Sequence, residues 1–189
     1  MRRVWIASIA LGHPFGAAIQ LLILTAAFRD DVAALRVSEL SGVGPNWNWR
    51  PNSRTMGEGG LDIPLSRSAA EVLEGQLSLR PPGSDFVFST TGTTPISGWS
   101  RAKRRLDGII ASRVINAAPV HPWRLNDLRL SFAVHAREVL GINPVVVERC
   151  LGRISGIANP LGREWAASRS ILTEHRDALE LWAAAVTAT

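Results

Sequence analysis

One arginine inside an apolar helical stripe constrains this chain more than any other feature. In the stretch Trp123–His135 (WRLNDLRLSFAVH), Leu125, Leu128, Phe132 and Ala133 recur at the spacing of one buried helix face. Asn126 or Asp127 is placed to cap its start. Arg129 falls among these apolar residues. A guanidinium there needs an anionic partner or water, because a lone buried charge is very costly. From the residues alone, Asp127 or Glu138 is the expected partner.

The rest of the composition is that of an ordinary globular protein. The 189 residues are the size of one domain, 46% hydrophobic and 20% charged, and such a chain buries about 70% of its unfolded surface. A net charge of +5 favours anionic partners, nucleic acid before membrane surfaces. Cys150 is the single cysteine, which excludes an internal disulfide and a cysteine-based metal site. The four histidines have no metal-ligand spacing, so neither metal nor cofactor is expected. Met1–Leu11 faintly resembles a signal peptide, but its apolar run is short and leads straight into Gly12-His13-Pro14 without a clear cleavage site. No stretch is long enough to span a bilayer, and the expected location is the cytoplasm. The chain contains no tyrosine.

Along the chain, Phe15–Ala27 reads as a buried helix, and Asp30–Arg36 as a short second one opened by acidic residues. Ser41–Pro45 reads as a loop. Trp47–Trp49 and Leu61–Pro64 read as strands of a small antiparallel hairpin around a stretch rich in turn formers. Ser66 is placed to cap a helix through Ala69, Val72 and Leu73, which Arg80-Pro81-Pro82-Gly83 breaks. Phe86–Phe88 is extended and Ser89–Gly98 a polar loop. Trp99–Ile110 is a basic helix carrying Arg101, Lys103, Arg104 and Arg105, and further helices cover Val145–Leu151 and Ser170–Val186. The expected fold is mainly α with a small antiparallel β-sheet, in a single domain over residues 1–189.

The central stretch resembles the His-x-x-Arg box of the tyrosine recombinases (the phage integrase family), with Asn126 in place of the histidine and Arg129 on the arginine. The resemblance runs through nearly the whole chain. Arg54-Thr55 and Ile63-Pro64-Leu65-Ser66 resemble the family's ribbon, and Ser97–Asp107 the segment before the box. Gly141–Gly156 and Ala178–Trp182 resemble the motifs after it. It implies the catalytic-domain fold of that family, here without the separate amino-terminal DNA-clamping domain that members usually carry.

The family chemistry that the resemblance implies is covalent. A tyrosine attacks the scissile phosphate, two arginines and a His or Trp stabilise the phosphoryl oxygens, and a lysine protonates the leaving oxygen. The first arginine maps onto Phe28, the lysine onto Met56 and the box histidine onto Asn126. The second histidine maps onto Arg153 and the tyrosine onto Ala166, so Arg129 alone is retained. Ser168 and Ser170 lie nearby, but an isolated serine is more often a surface or capping residue than a nucleophile. The expected DNA contacts are Arg54, Arg101, Lys103, Arg104, Arg124 and Arg153, with weak, backbone-directed binding to duplex DNA. The expected role is a DNA-binding domain of DNA integration and site-specific recombination that does not itself cleave. The alternatives are a non-catalytic module that binds DNA or other recombinase subunits, and a decaying gene product without activity.

Overall fold

A computed structural model describes residues 1–52, 61–113, 121–152 and 169–188. Eight α-helices and three two-residue strands lie among them: α1 (Arg2–Leu11), α2 (Phe15–Thr25), α3 (Arg29–Ala34), β1 (Leu40–Ser41), β2 (Asn48–Trp49), β3 (Ile63–Pro64), α4 (Arg67–Leu79), α5 (Trp99–Ser112), α6 (Asp127–Glu138), α7 (Pro144–Cys150) and α8 (Arg169–Thr187). The sheet is antiparallel in the order β1-β2-β3, with Leu40 opposite Trp49 and Trp49 opposite Ile63. The architecture is therefore mainly helical with a small antiparallel sheet, as the sequence pattern implies. Strand β1 is an addition, and its second residue, Ser41, falls where a loop was expected.

Helix α2 is apolar nearly all round, and Gly16, Ala18, Ile19 and Leu21–Thr25 are buried. Such a helix needs neighbours on every side. It packs against α1, α3, α4, α6 and α8. Helix α1 occupies the stretch that resembled a leader. Its Ala7, Ser8 and Leu11 are buried, and it packs on α2 and α5. The α1–α2 approach depends on Gly16, where a Cβ would lie 2.3 Å from the Ser8 carbonyl oxygen. No helix among the described residues is long and apolar enough to cross a membrane.

Helix α8 ties these elements together. Its buried residues Ile171, His175, Ala178, Leu179, Trp182, Ala183 and Val186 form one stripe at helical spacing. The Trp182 indole donates to the Ile23 carbonyl at 2.7 Å and meets Phe132 edge-on at 5.4 Å. Arg176 donates to the Leu65 carbonyl and to Asn48 Oδ1, which anchors α8 on the sheet. Ser66 caps α4 as expected, accepting from the Ala69 N–H. Asp85 holds the turn after α3. It accepts from the Ser38 N–H and hydroxyl and pairs with Arg36, and the Ser38 N–H above all keeps its carboxyl below the usual range.

His175 occupies a core position of the α8 stripe and is fully buried. Burial first, then the positive charges of Arg149 and Arg176, lowers its pKa to about 3. The native state thus holds it neutral, whereas the unfolded chain binds a proton below about pH 6.5. Stability is fully present above that pH and declines as pH falls towards about 3. This one group contributes at most about 1.4 kcal/mol per pH unit. In urea titrations between these limits, the wild-type minus His175→Leu difference should carry that slope. A flat difference curve would show that His175 does not couple folding to pH.

Candidate nucleic-acid interface

The site is built where α2 ends, α3 begins and α6 enters the core. The Thr25 hydroxyl donates to the Leu21 carbonyl and accepts from the Ala27 N–H, closing the last turn of α2. Ala26 then takes a left-handed conformation, φ 51° and ψ 24°, which costs an L-residue about 1–2 kcal/mol. That reversal turns the chain so that extended Phe28 can start α3, with the Phe28 carbonyl accepting from Val32.

Arg129 meets this turn from α6. It is only 7% exposed. Its Nη1 donates to the Ala26 carbonyl, its Nη2 donates to the Leu151 carbonyl at 2.6 Å, and its Cζ lies 3.7 Å from the centroid of the Phe28 ring. Neither Asp127 nor Glu138 is paired with it among the described residues. Asp127 instead turns back to accept from the Arg124 N–H at 2.8 Å. Asn126 is the N-cap residue of α6 but makes no side-chain cap bond, because it already has helical φ and ψ. The guanidinium thus donates to two backbone carbonyls and is covered by an aromatic ring (a cation–π contact).

On the outer side of Phe28 lies a cleft of about 410 Å³, lined by Phe28, Arg29, Asp30, Trp99, Ser100, Lys103 and the run Trp123–Asn126. Arg129 is not part of its lining. Arg29 is bridged to Asp30 at 2.8 Å. Lys103 is bridged to Asp107 at 2.6 Å, with its Nζ 3.9 Å from the centroid of the Trp123 ring, and the Trp123 indole donates to the same aspartate. Arg124 and Asn126 are exposed at the cleft, and among the described residues the Arg124 side chain makes no ion pair. Arg101, Arg104 and Arg105 are exposed on the opposite side of α5 from its buried Ala102, Leu106 and Ile110.

Of the residues singled out from the sequence, Phe28, Lys103, Arg124 and Asn126 come together at this cleft. Arg101 and Arg104 share the outer face of α5, and Arg129 is buried. Arg54, Met56, Arg153 and Ala166 lie outside the described residues. The sequence reading missed Trp99, Ser100, Trp123 and Leu125 as lining residues, along with the two aspartates that neutralise Arg29 and Lys103.

No family model matches the sequence, and no curated protein matches it. Solved structures do. The crystal structure of XerH site-specific recombinase bound to difH substrate, a pre-cleavage complex, matches with a TM-score of 0.60 and 14% identity, over 89% of this chain and 52% of that chain. The post-cleavage complex of XerH with palindromic difH matches with a TM-score of 0.60 and 13% identity, over 89% and 48%. The fold is tyrosine-recombinase-like. The chain spans about half the length of the XerH chains it matches.

On this fold Arg129 is a clamp between backbone segments. Replacing it by Met leaves the Ala26 and Leu151 carbonyls without that donor, and should lower stability by about 2–4 kcal/mol in urea unfolding. Arg129→Lys should rescue little of this, since one ammonium lacks the planar fork that meets both carbonyls. An unchanged urea midpoint for Arg129→Met would refute the clamp.

Proposed function

We propose that this chain is a DNA-binding domain of the tyrosine recombinase family, acting in DNA integration and site-specific recombination without cleaving DNA itself. The observation that carries the binding half is the exposed Arg101, Arg104 and Arg105 face of α5, set on a fold shared with DNA-bound XerH. These arginines, with Arg124 at the cleft and with Arg54 and Arg153, are the groups we assign to duplex phosphates. Lys103 is already paired with Asp107 and contributes less. The domain works as a single unit in the cytoplasm, with no metal or cofactor.

The loss of cleavage rests on the side chains. The chain has no tyrosine, so neither this copy nor an identical subunit supplies the nucleophile. Phe28 offers an aromatic ring where the family resemblance calls for an arginine, and Asn126 cannot act as an acid or base near neutral pH. The retained Arg129 donates to backbone carbonyls beneath that ring. A second reading, association with another recombinase subunit, is supported by Leu130 and Val134, exposed one turn apart on α6.

Two measurements test this function. In fluorescence anisotropy with a labelled duplex, log K should fall with log salt at a slope of about −3 to −4. Arg101→Glu/Arg104→Glu/Arg105→Glu should remove most of the binding. Affinity that is absent at about 50 mM salt, or indifferent to salt, would contradict the DNA-binding assignment. Incubated with nicked suicide duplexes, the pure protein should give no covalent band on a denaturing gel. Ala166→Tyr alone should remain inactive, because the groups at Phe28, Met56 and Asn126 are still missing. Cleavage by that single variant would show that the catalytic positions are mapped wrongly.

A further inference from the structure

We propose that the cleft beside Phe28 binds one unpaired nucleotide, with the base against its aromatic wall and the phosphate at Arg124. This rests on the assignment of this face to nucleic acid, and adds a ligand that duplex phosphate binding does not require. The cleft volume of about 410 Å³ falls within the range of small-ligand sites. Its wall includes three aromatic side chains, Phe28, Trp99 and Trp123, together with Leu125. Base–aromatic stacking accepts any base, because each presents a π-face.

The charge pattern selects the class of ligand. Arg29 and Lys103 are each balanced by a neighbouring aspartate. That leaves Arg124 as the cation at the cleft without an ion pair among the described residues. A ligand with a flat ring and one phosphate matches this arrangement better than a polyanion does. Asn126 and Ser100 at the same cleft offer a donor–acceptor amide and a hydroxyl for the edge of a base or for a sugar oxygen.

The wall is also held in place before any ligand arrives. Trp99 is braced edge-on by Phe15 at 5.4 Å. Trp123 is held by its hydrogen bond to Asp107 and by the Lys103 ammonium over its ring. Rigid rings lose little freedom when a base packs against them. A base within a duplex is stacked between its neighbours and must be extruded to reach such a site, at an energetic cost. The ligand is therefore an unpaired nucleotide, either free or within a single strand.

The experiment titrates the full chain with thymidine monophosphate, thymidine, a short oligo(dT) and a blunt hairpin duplex, following tryptophan indole N–H signals by NMR. The monophosphate should shift the Trp99 and Trp123 signals with a dissociation constant of about 1 mM or below. Thymidine should bind about tenfold more weakly, and Arg124→Glu and Arg124→Gln should each weaken the monophosphate about tenfold. Arg101→Glu/Arg104→Glu/Arg105→Glu should leave monophosphate binding in place while lowering duplex affinity. Tighter binding of oligo(dT) than of the monophosphate would assign the site to a strand, and equal binding to the free nucleotide. Absence of shifts up to about 10 mM monophosphate, or shifts indifferent to both Arg124 variants, would overturn the proposal. Duplex binding without nucleotide shifts defeats this inference alone. Nucleotide shifts without duplex binding support the cleft and defeat the broader DNA-binding assignment.

Discussion

The Arg129 guanidinium, bonded to the carbonyls of Ala26 and Leu151, is the interaction on which the arrangement of this site depends. A buried cation needs compensation for the water it has lost. Here much of it comes from carbonyl dipoles at the ends of two other helices. The end of α2 exposes carbonyls that its own ladder cannot satisfy, and Ala26, with its left-handed backbone, directs one of them at α6. The Leu151 carbonyl likewise follows the last turn of its helix, α7, there with a right-handed backbone. One side chain thereby joins three helices, and the Phe28 ring covers it.

That clamp determines what the cleft presents. With Arg129 behind Phe28, the cleft depends on residues from α3, α5 and the segment before α6 for its charge. Asp30 and Asp107 cancel two of those cations at short range. The field of the cleft is therefore weaker than its count of basic residues suggests, while the outer face of α5 keeps its arginines exposed. Trp99, one part of the apolar wall, and the basic face lie on the same helix, separated by its periodicity.

Much of the helical framework was legible in the residue pattern, because burial imposes a period on long segments. Helices α2, α4, α5, α6, α7 and α8 stand close to where the apolar spacing put them. Two elements escaped. Strand β1 is two residues long, too short to alternate, and α1 looked like a faint leader because it is apolar on more than one side. At the site, the absence of tyrosine and the aromatic at position 28 were plain from the sequence. The partners of Arg129 were not, since any residue carries a carbonyl and a backbone acceptor leaves no mark in the letters. Asn126 illustrates the same limit. Its type suits a helix cap, but the turn before α6 already gives it helical dihedrals, and Asp127 makes the local side-chain bond instead. Trp99 and Trp123 stand apart in sequence and meet at the cleft only through the packing around α5.

Gly16 extends this dependence to a place far along the chain from the cleft. Its missing side chain lets the Ser8 carbonyl rest directly on α2, and α1, seated there, also supports α5. A single added methyl at position 16 has to push α1 outward, and α5 loses the bed on which its arginine face is levelled. On the proposed function, a genetic screen for lost nucleic-acid binding would return this glycine among its hits, although it belongs neither to the cleft lining nor to the arginine face.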